Sequence, residues 1–341
     1  MQTSKLSMIL ILVLLLSMPG SQSLVAHAQQ ADSMSYAPNA PAAPPIGEFV
    51  AFCDFSHRLH EDPIVAPGQH HASHSHDFFG NITTDAHSTV ETLLAGGTTC
   101  DPVSDRSSYW APTLYDAQGV EVGMERATFY YLVNVNNPTT LQPFPLGLKI
   151  IAGNAKATNP GEAEHIKWSC LGAPDSSTGD LITCPAGSKL ELLVNYPDCW
   201  DGVNLDSANH KSHMTYSAGG LCPATHPVAV PALQFKLRYN TTGGPGFKLS
   251  SGAGYTAHAD FFNAWETDAQ LNRLQCLHEL IKCGPAGHPN PANPPAATAT
   301  ATPLPAPTAA STPTPTITPP PATPQPGTLK NQLYLPTVKR E

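Results

Sequence analysis

The 341-residue sequence is short of charge. Only 13% of its side chains are Asp, Glu, Lys or Arg, about half the usual share, and 26 acidic residues outnumber 17 basic ones for a net charge of −9. So little positive charge leaves no basic surface for a phosphate backbone, which excludes a nucleic-acid partner. Long apolar runs are lacking as well. Beyond the N-terminus nothing approaches the roughly 18 consecutive apolar residues of a membrane span, so no transmembrane helix is expected in the mature chain. No G-x-S-x-G elbow, P-loop or dinucleotide-binding glycine fingerprint occurs, which removes the usual serine-hydrolase and nucleotide-binding readings. Paired CxxC spacings are also absent, so the cysteines do not read as a structural zinc site.

What the sequence has in quantity is proline (36), glycine (25) and histidine (15). Proline and glycine favour turns and irregular loops over a helical bundle. Lys5, an apolar run over residues 8–18 and the small-residue site Ala26-His27-Ala28 follow the order of a secretory signal, predicting cleavage after residue 28 and an exported or surface-displayed protein. Residues 29–44 read as a flexible N-terminal segment. Eight cysteines (Cys53, Cys100, Cys170, Cys184, Cys199, Cys222, Cys276 and Cys283) follow that site, and their even number in an exported chain predicts disulfides. Sequence proximity favours Cys170–Cys184, Cys199–Cys222 and Cys276–Cys283, leaving Cys53–Cys100 by subtraction.

Residues 284–328 read as a disordered Pro/Thr-rich stalk, because 15 of the 36 prolines and no charged residue fall between Gly284 and Gly327. Residues 329–341 add an apolar patch and two basic residues, resembling the terminal segments that follow such stalks in exported bacterial proteins. A surface-sorting role is the expectation there.

The intervening residues 45–283 have the size of one domain. Runs rich in β-branched and aromatic residues predict strands over 109–115, 127–135, 146–152, 165–170, 190–196, 213–216 and 232–239, with a hairpin turn at Asp116-Ala117-Gln118-Gly119. Helical spacing of Leu271, Leu274, Leu277 and Ile281 predicts one helix over 267–282. The expected architecture is mainly β, a β-sandwich or jelly-roll-like domain with long loops and one C-terminal helix.

Three clusters carry candidate chemistry. In an extended segment His74 and His76 project to the same side, so their imidazoles can share one ion. The segment 196–216 holds Trp200 and Tyr216, able to stack on a ligand, with Asp201, Asn204, Asp206, His210 and His213 to bond or ligate it. Its competing reading is a loop in which Asp and Asn cap their own turns. In the third, His258 and Asp260 alternate so that both point into one cleft while Phe261 packs behind.

Taken in order, Asp62-Pro63-Ile64-Val65-Ala66-Pro67-Gly68, His74-Ser75-His76-Asp77-Phe78-Phe79-Gly80, Tyr109-Trp110-Ala111-Pro112-Thr113-Leu114-Tyr115, Pro197-Asp198-Cys199-Trp200-Asp201-Gly202, His210-Lys211-Ser212-His213 and His258-Ala259-Asp260-Phe261 resemble the DUF1996 family of secreted fungal and bacterial proteins. The resemblance implies an exported, disulfide-containing domain of a kind found beside carbohydrate-binding modules, and no settled reaction. Ala264 stands before Trp265 where the family is associated with Gly, and His70 and His71 lie outside the motif.

Three functions follow from these residues. The first is a polysaccharide hydrolase or lyase with Asp206, His210, His213, His258 and Asp260 as catalytic residues and Arg58, Trp110, Trp200, Asp201, Asn204 and Tyr216 binding substrate. The second is a metal-binding protein or metalloenzyme holding zinc or copper on His74, His76, His210 and His213, with His258 as a further ligand. A copper oxygenase with an N-terminal histidine brace fits poorly, since the mature chain would begin at Gln29. The third is a non-catalytic, monomeric adhesin binding cell-wall glycan.

Overall fold

A computed structural model describes residues 46–290, with the backbone alone for residues 173–178. The predicted signal peptide, the segment 29–44 and the stalk and terminal segment beyond 290 lie outside the described residues.

Alternating burial along Ala232–Tyr239, in which every second residue is buried, marks a strand with one face on a core and one towards solvent. It sits near the middle of a large, mostly antiparallel sheet ordered Ala173–Thr178, Ile166–Cys170, Leu190–Asn195, Ala232–Tyr239, Met124–Leu132, Glu48–Cys53 and Lys282–Cys283. A second sheet has five strands, ordered Phe55–Leu59, His76–Gly80, Ser108–Pro112, His258–Phe262 and Lys149–Gly153. The sheets meet through aromatic rings. Tyr109 of the five-stranded sheet stacks on Phe129 of the large one at 4.0 Å between centroids and on its neighbour Phe261 at 5.1 Å, while Phe235 closes edge-on against Phe129 at 4.6 Å. The architecture is therefore mainly β and sandwich-like.

The three central strands of the smaller sheet, unlike a half-solvated strand, are buried at every position. Their second face is covered by a separate apolar cluster in which Ile64 and Leu93 pack with Phe78, Trp110 and Phe262. A sheet buried on both faces can hold polar side chains only where they bond each other or a ligand.

Four disulfides join the pairs favoured by proximity and subtraction, Cys53–Cys100, Cys170–Cys184, Cys199–Cys222 and Cys276–Cys283. The C-terminal helix ends at His278, four residues short of the expected 282: Leu280 takes a left-handed φ of 54°, and Lys282–Cys283 then pairs in parallel with Glu48 and Phe49. A short helix, Val90–Ala95, was not expected; its Thr89–Thr92 capping box supplies the start signal. The expected strand 109–115 splits into Ser108–Pro112 and Leu114–Tyr115, and the turn at 116–119 closes through Gly119 N–H donating to the Asp116 carbonyl at 3.0 Å. Ordered backbone continues past Cys283. His288 N–H donates to Asn272 Oδ1 at 3.0 Å and its Nε2 meets Glu279 Oε2 at 3.0 Å, so the first residues of the expected stalk pack on the helix.

Candidate metal centre

The covered face of the five-stranded sheet carries its polar side chains together. In the strand His258–Phe262 alternation places His258, Asp260 and Phe262 on this face and Ala259 and Phe261 on the sandwich core. His76 enters from the strand on the other side of Ser108–Pro112, where it pairs with Pro112, and His74 precedes it in extended chain. Gly153 fixes the position of His258. It is the cross-strand partner of His258 at a φ of +82°, and a Cβ there would lie 2.4 Å from the Ala257 carbonyl oxygen and 2.8 Å from His258 Cα.

The three imidazoles converge, with one ring nitrogen from each of His74, His76 and His258 lying within 4.8 Å of the others. Ring centroids are 4.3 Å apart for His74 and His76, 5.0 Å for His74 and His258, and 5.7 Å for His76 and His258. His76 Nδ1 lies 3.0 Å from the Glu61 carbonyl and His258 Nδ1 lies 2.9 Å from the Thr256 carbonyl. A carbonyl only accepts, so each Nδ1 carries the proton and each Nε2 presents a lone pair. His258 Nε2 faces His74 Nε2 at 3.2 Å, whereas His76 Nε2, though buried, has no hydrogen-bond partner among the described residues.

Asp260 falls in an adjoining group that shares His76, with one donor atom each of Asp62, His76 and Asp260 lying within 4.8 Å of one another. Both carboxylate oxygens of Asp260 are buried and without a hydrogen-bond partner among the described residues. Burial, reinforced by the nearby charge of Asp62, drives its pKa far above the usual carboxylate range. Burial likewise holds the imidazolium forms of His76 and His258 down to a pKa of about 3, each helped by a neighbouring imidazole, so both rings are neutral at physiological pH. Asp62, buried under the same face, accepts from the Ile64 and Val65 N–H groups at 2.9 Å each with Oδ1, and one of its oxygens lies within 4.8 Å of donor atoms of His76 and Asp260. Sequence reasoning passed over Asp62. The signal available was a carboxylate at the start of the segment that folds over the sheet. His74 is half-buried and lines a cleft of about 460 Å³ with His60, Ser75, Tyr115 and residues 248–252, which gives the cluster a side towards solvent.

The remaining candidates are not among the converging donors, although Trp110 lies on the same face, as the cross-strand partner of Asp260. Both ring nitrogens of His213 are in contact with protein atoms, Nε2 with the Lys149 carbonyl at 2.7 Å and Nδ1 with Ser207 Oγ at 3.0 Å, and it does not join the converging imidazoles. His210 pairs with Asp206 at 3.0 Å, and neither joins the converging imidazoles. Asp201 caps its own turn, accepting from Val203 and Asn204 N–H groups at 2.8 and 2.9 Å. Trp110 is fully buried, so its ring offers no face for sugar stacking. Arg58 is ion-paired with Asp77 and Glu121. Tyr216 donates to the Asn195 carbonyl at 2.9 Å and stacks on His165. Trp200 is half-buried, its indole N–H donating to the Asn204 carbonyl at 2.6 Å, and lines a separate groove of about 600 Å³.

A family model described as a domain of unknown function, DUF1996, matches residues 62–265. The chain belongs to that family. The matched span opens at Asp62 and closes after Asp260, so all five residues of the cluster fall within the DUF1996 domain. No curated protein and no solved structure matches the chain.

Proposed function

We propose that this DUF1996 domain is a metal-binding domain of an exported or surface-displayed protein, holding a divalent transition metal such as zinc or copper. The ligands are the Nε2 atoms of His74, His76 and His258 and the carboxylate of Asp260, with Asp62 as a further oxygen donor. The observation that carries this reading is that His76 Nε2 and the Asp260 carboxylate are both buried without a hydrogen-bond partner among the described residues, in groups that share His76 and bring in two further imidazoles. Two supports add to it. His76 and His258 donate their other N–H to backbone carbonyls, the outer bond that orients metal-ligating histidines. Three imidazoles and a carboxylate are also a donor set that suits zinc or copper.

Elemental analysis of untagged protein before and after chelation tests the assignment. His258→Ala is expected to lose stoichiometric metal, and full occupancy in that variant would overturn it.

The groove beside Trp200 favours glycan binding as a second activity of the same domain. A half-buried indole with Asn136, Asn137 and Gln142 supplies an apolar platform and amide hydrogen bonds without a carboxylate pair. Trp200→Ala is expected to lower retention on insoluble wall polysaccharide about tenfold, equivalent to about 1.4 kcal/mol and within the range of one aromatic contact. Equal retention of variant and wild type would dismiss that activity.

A further inference from the structure

A second set of imidazoles stands on the surface, and none of them belongs to the buried cluster. The loop 62–69 lies against the turn 85–88, with Gly68 N–H donating to the Ala86 carbonyl at 2.6 Å. Between them the buried carboxylate of Glu61 accepts from the Ala86 N–H at 2.7 Å through Oε2 and meets His70 Nδ1 at 2.6 Å through Oε1. That contact fixes the His70 ring, places its proton on Nδ1 and turns Nε2 outwards. His87 faces it, with the two Nε2 atoms 3.1 Å apart and the ring centroids at 4.7 Å. Both side chains are exposed. His71 follows in the same loop at a left-handed φ of 55°, its ring 6.4 Å from that of His70.

We propose that His70 and His87 form a second, surface site for a divalent transition cation of the copper, nickel or zinc type. Glu61 acts as its positioning residue, and His71 lies within the same loop as a third imidazole. A buried carboxylate behind an exposed imidazole is the arrangement that makes histidine a better ligand, because it fixes the tautomer and raises the basicity of the outer nitrogen. The hydrogen bond to Glu61 raises the His70 pKa accordingly. Glu61 also reaches the interior through its backbone carbonyl, which orients His76 at 3.0 Å. One residue thus orients an imidazole in each site, by its carboxylate at the surface and by its carbonyl inside. The two sites share no ligand.

The test is calorimetric titration of untagged, metal-stripped protein with Cu(II) or Ni(II). Wild type is expected to bind two equivalents. H70A/H87A should bind one, with the affinity of the remaining equivalent unchanged, and Glu61→Gln should weaken the surface equivalent about tenfold or more. Binding by H70A/H87A at wild-type stoichiometry and affinity would overturn the surface site. His258→Ala separates the two assignments, since it should lose the buried equivalent and keep the surface one. Retention on immobilised Ni(II) gives a second readout. Earlier elution of H70A/H87A than of wild type is expected, and identical elution counts against the proposal.

Discussion

Asp260→Asn is expected to weaken zinc or copper binding about 100-fold or more while the metal-free protein unfolds at no lower temperature than wild type. The two halves of that result have one cause. Asp260 is buried and neither carboxylate oxygen has a hydrogen-bond partner among the described residues, so burial keeps it protonated in the metal-free chain and ionising it costs free energy that only a bound cation offsets. Asn has nearly the same shape as the neutral acid, cannot ionise and is a much poorer metal ligand. The loss in affinity exceeds the 10–100-fold typical of outer bonds because a ligand atom itself is replaced. Isothermal titration and thermal unfolding on the same metal-free preparations check both halves. Unchanged affinity, or a fall in Tm of many degrees with affinity kept, would make Asp260 a packing residue instead.

The second large effect lies in the sandwich core. Trp265 Nε1–H donates to the Tyr131 hydroxyl at 2.9 Å, the Tyr131 and Tyr109 hydroxyls lie 2.6 Å apart, and Tyr109 donates to Asp105 Oδ2 at 2.5 Å. Burial raises the Asp105 pKa to about 7 against the opposing pull of these bonds. Below about pH 4 the side chain is protonated in both folded and unfolded states and adds no pH dependence. Between about 4 and 7 the unfolded chain releases the proton and the folded chain keeps it, so stability falls as pH rises, then levels off. At about 1.4 kcal/mol per unit, the Asp105 share is on the order of 4 kcal/mol. Denaturant unfolding of wild type and Asp105→Asn at pH 4, 5.5 and 7 should show the wild-type advantage shrinking by that amount. A difference constant with pH would mean that Asp105 is ionised throughout.

The β-rich class and three disulfide pairs were legible because period-two runs and short cysteine spacings are local signals, whereas Cys53–Cys100, 47 residues apart, followed only by subtraction. Ala232–Tyr239 matches the expected strand at both ends, since its alternation is uninterrupted. Boundaries moved where tertiary contacts intervene. The late helix stops at His278 because the chain must turn so that Cys283 can reach Cys276 and join the large sheet. The three histidine-bearing clusters looked alike in sequence, yet only the first and third meet. Strand pairing across Ser108–Pro112 joins residues 76 and 258, and no local pattern encodes that register. The middle cluster instead engages its polar atoms with its own turns and with neighbouring backbone, as Asp201 and His213 show. Glu61 was invisible for a different reason: its use depends on a carbonyl and a carboxylate facing opposite ways, which residue type alone does not reveal.

The nitrogens of His74 and His258 lie 3.2 Å apart although 184 residues separate them along the chain. A ribosome delivers Asp62, His74 and His76 long before the strand His258–Phe262 exists, so a nascent chain holds three of the five residues and lacks His258 and Asp260. The centre is assembled by the last strand of the five-stranded sheet to be synthesised. On the proposed assignment, metal loading is therefore a late event in the life of the molecule, one that reports that the domain has been completed.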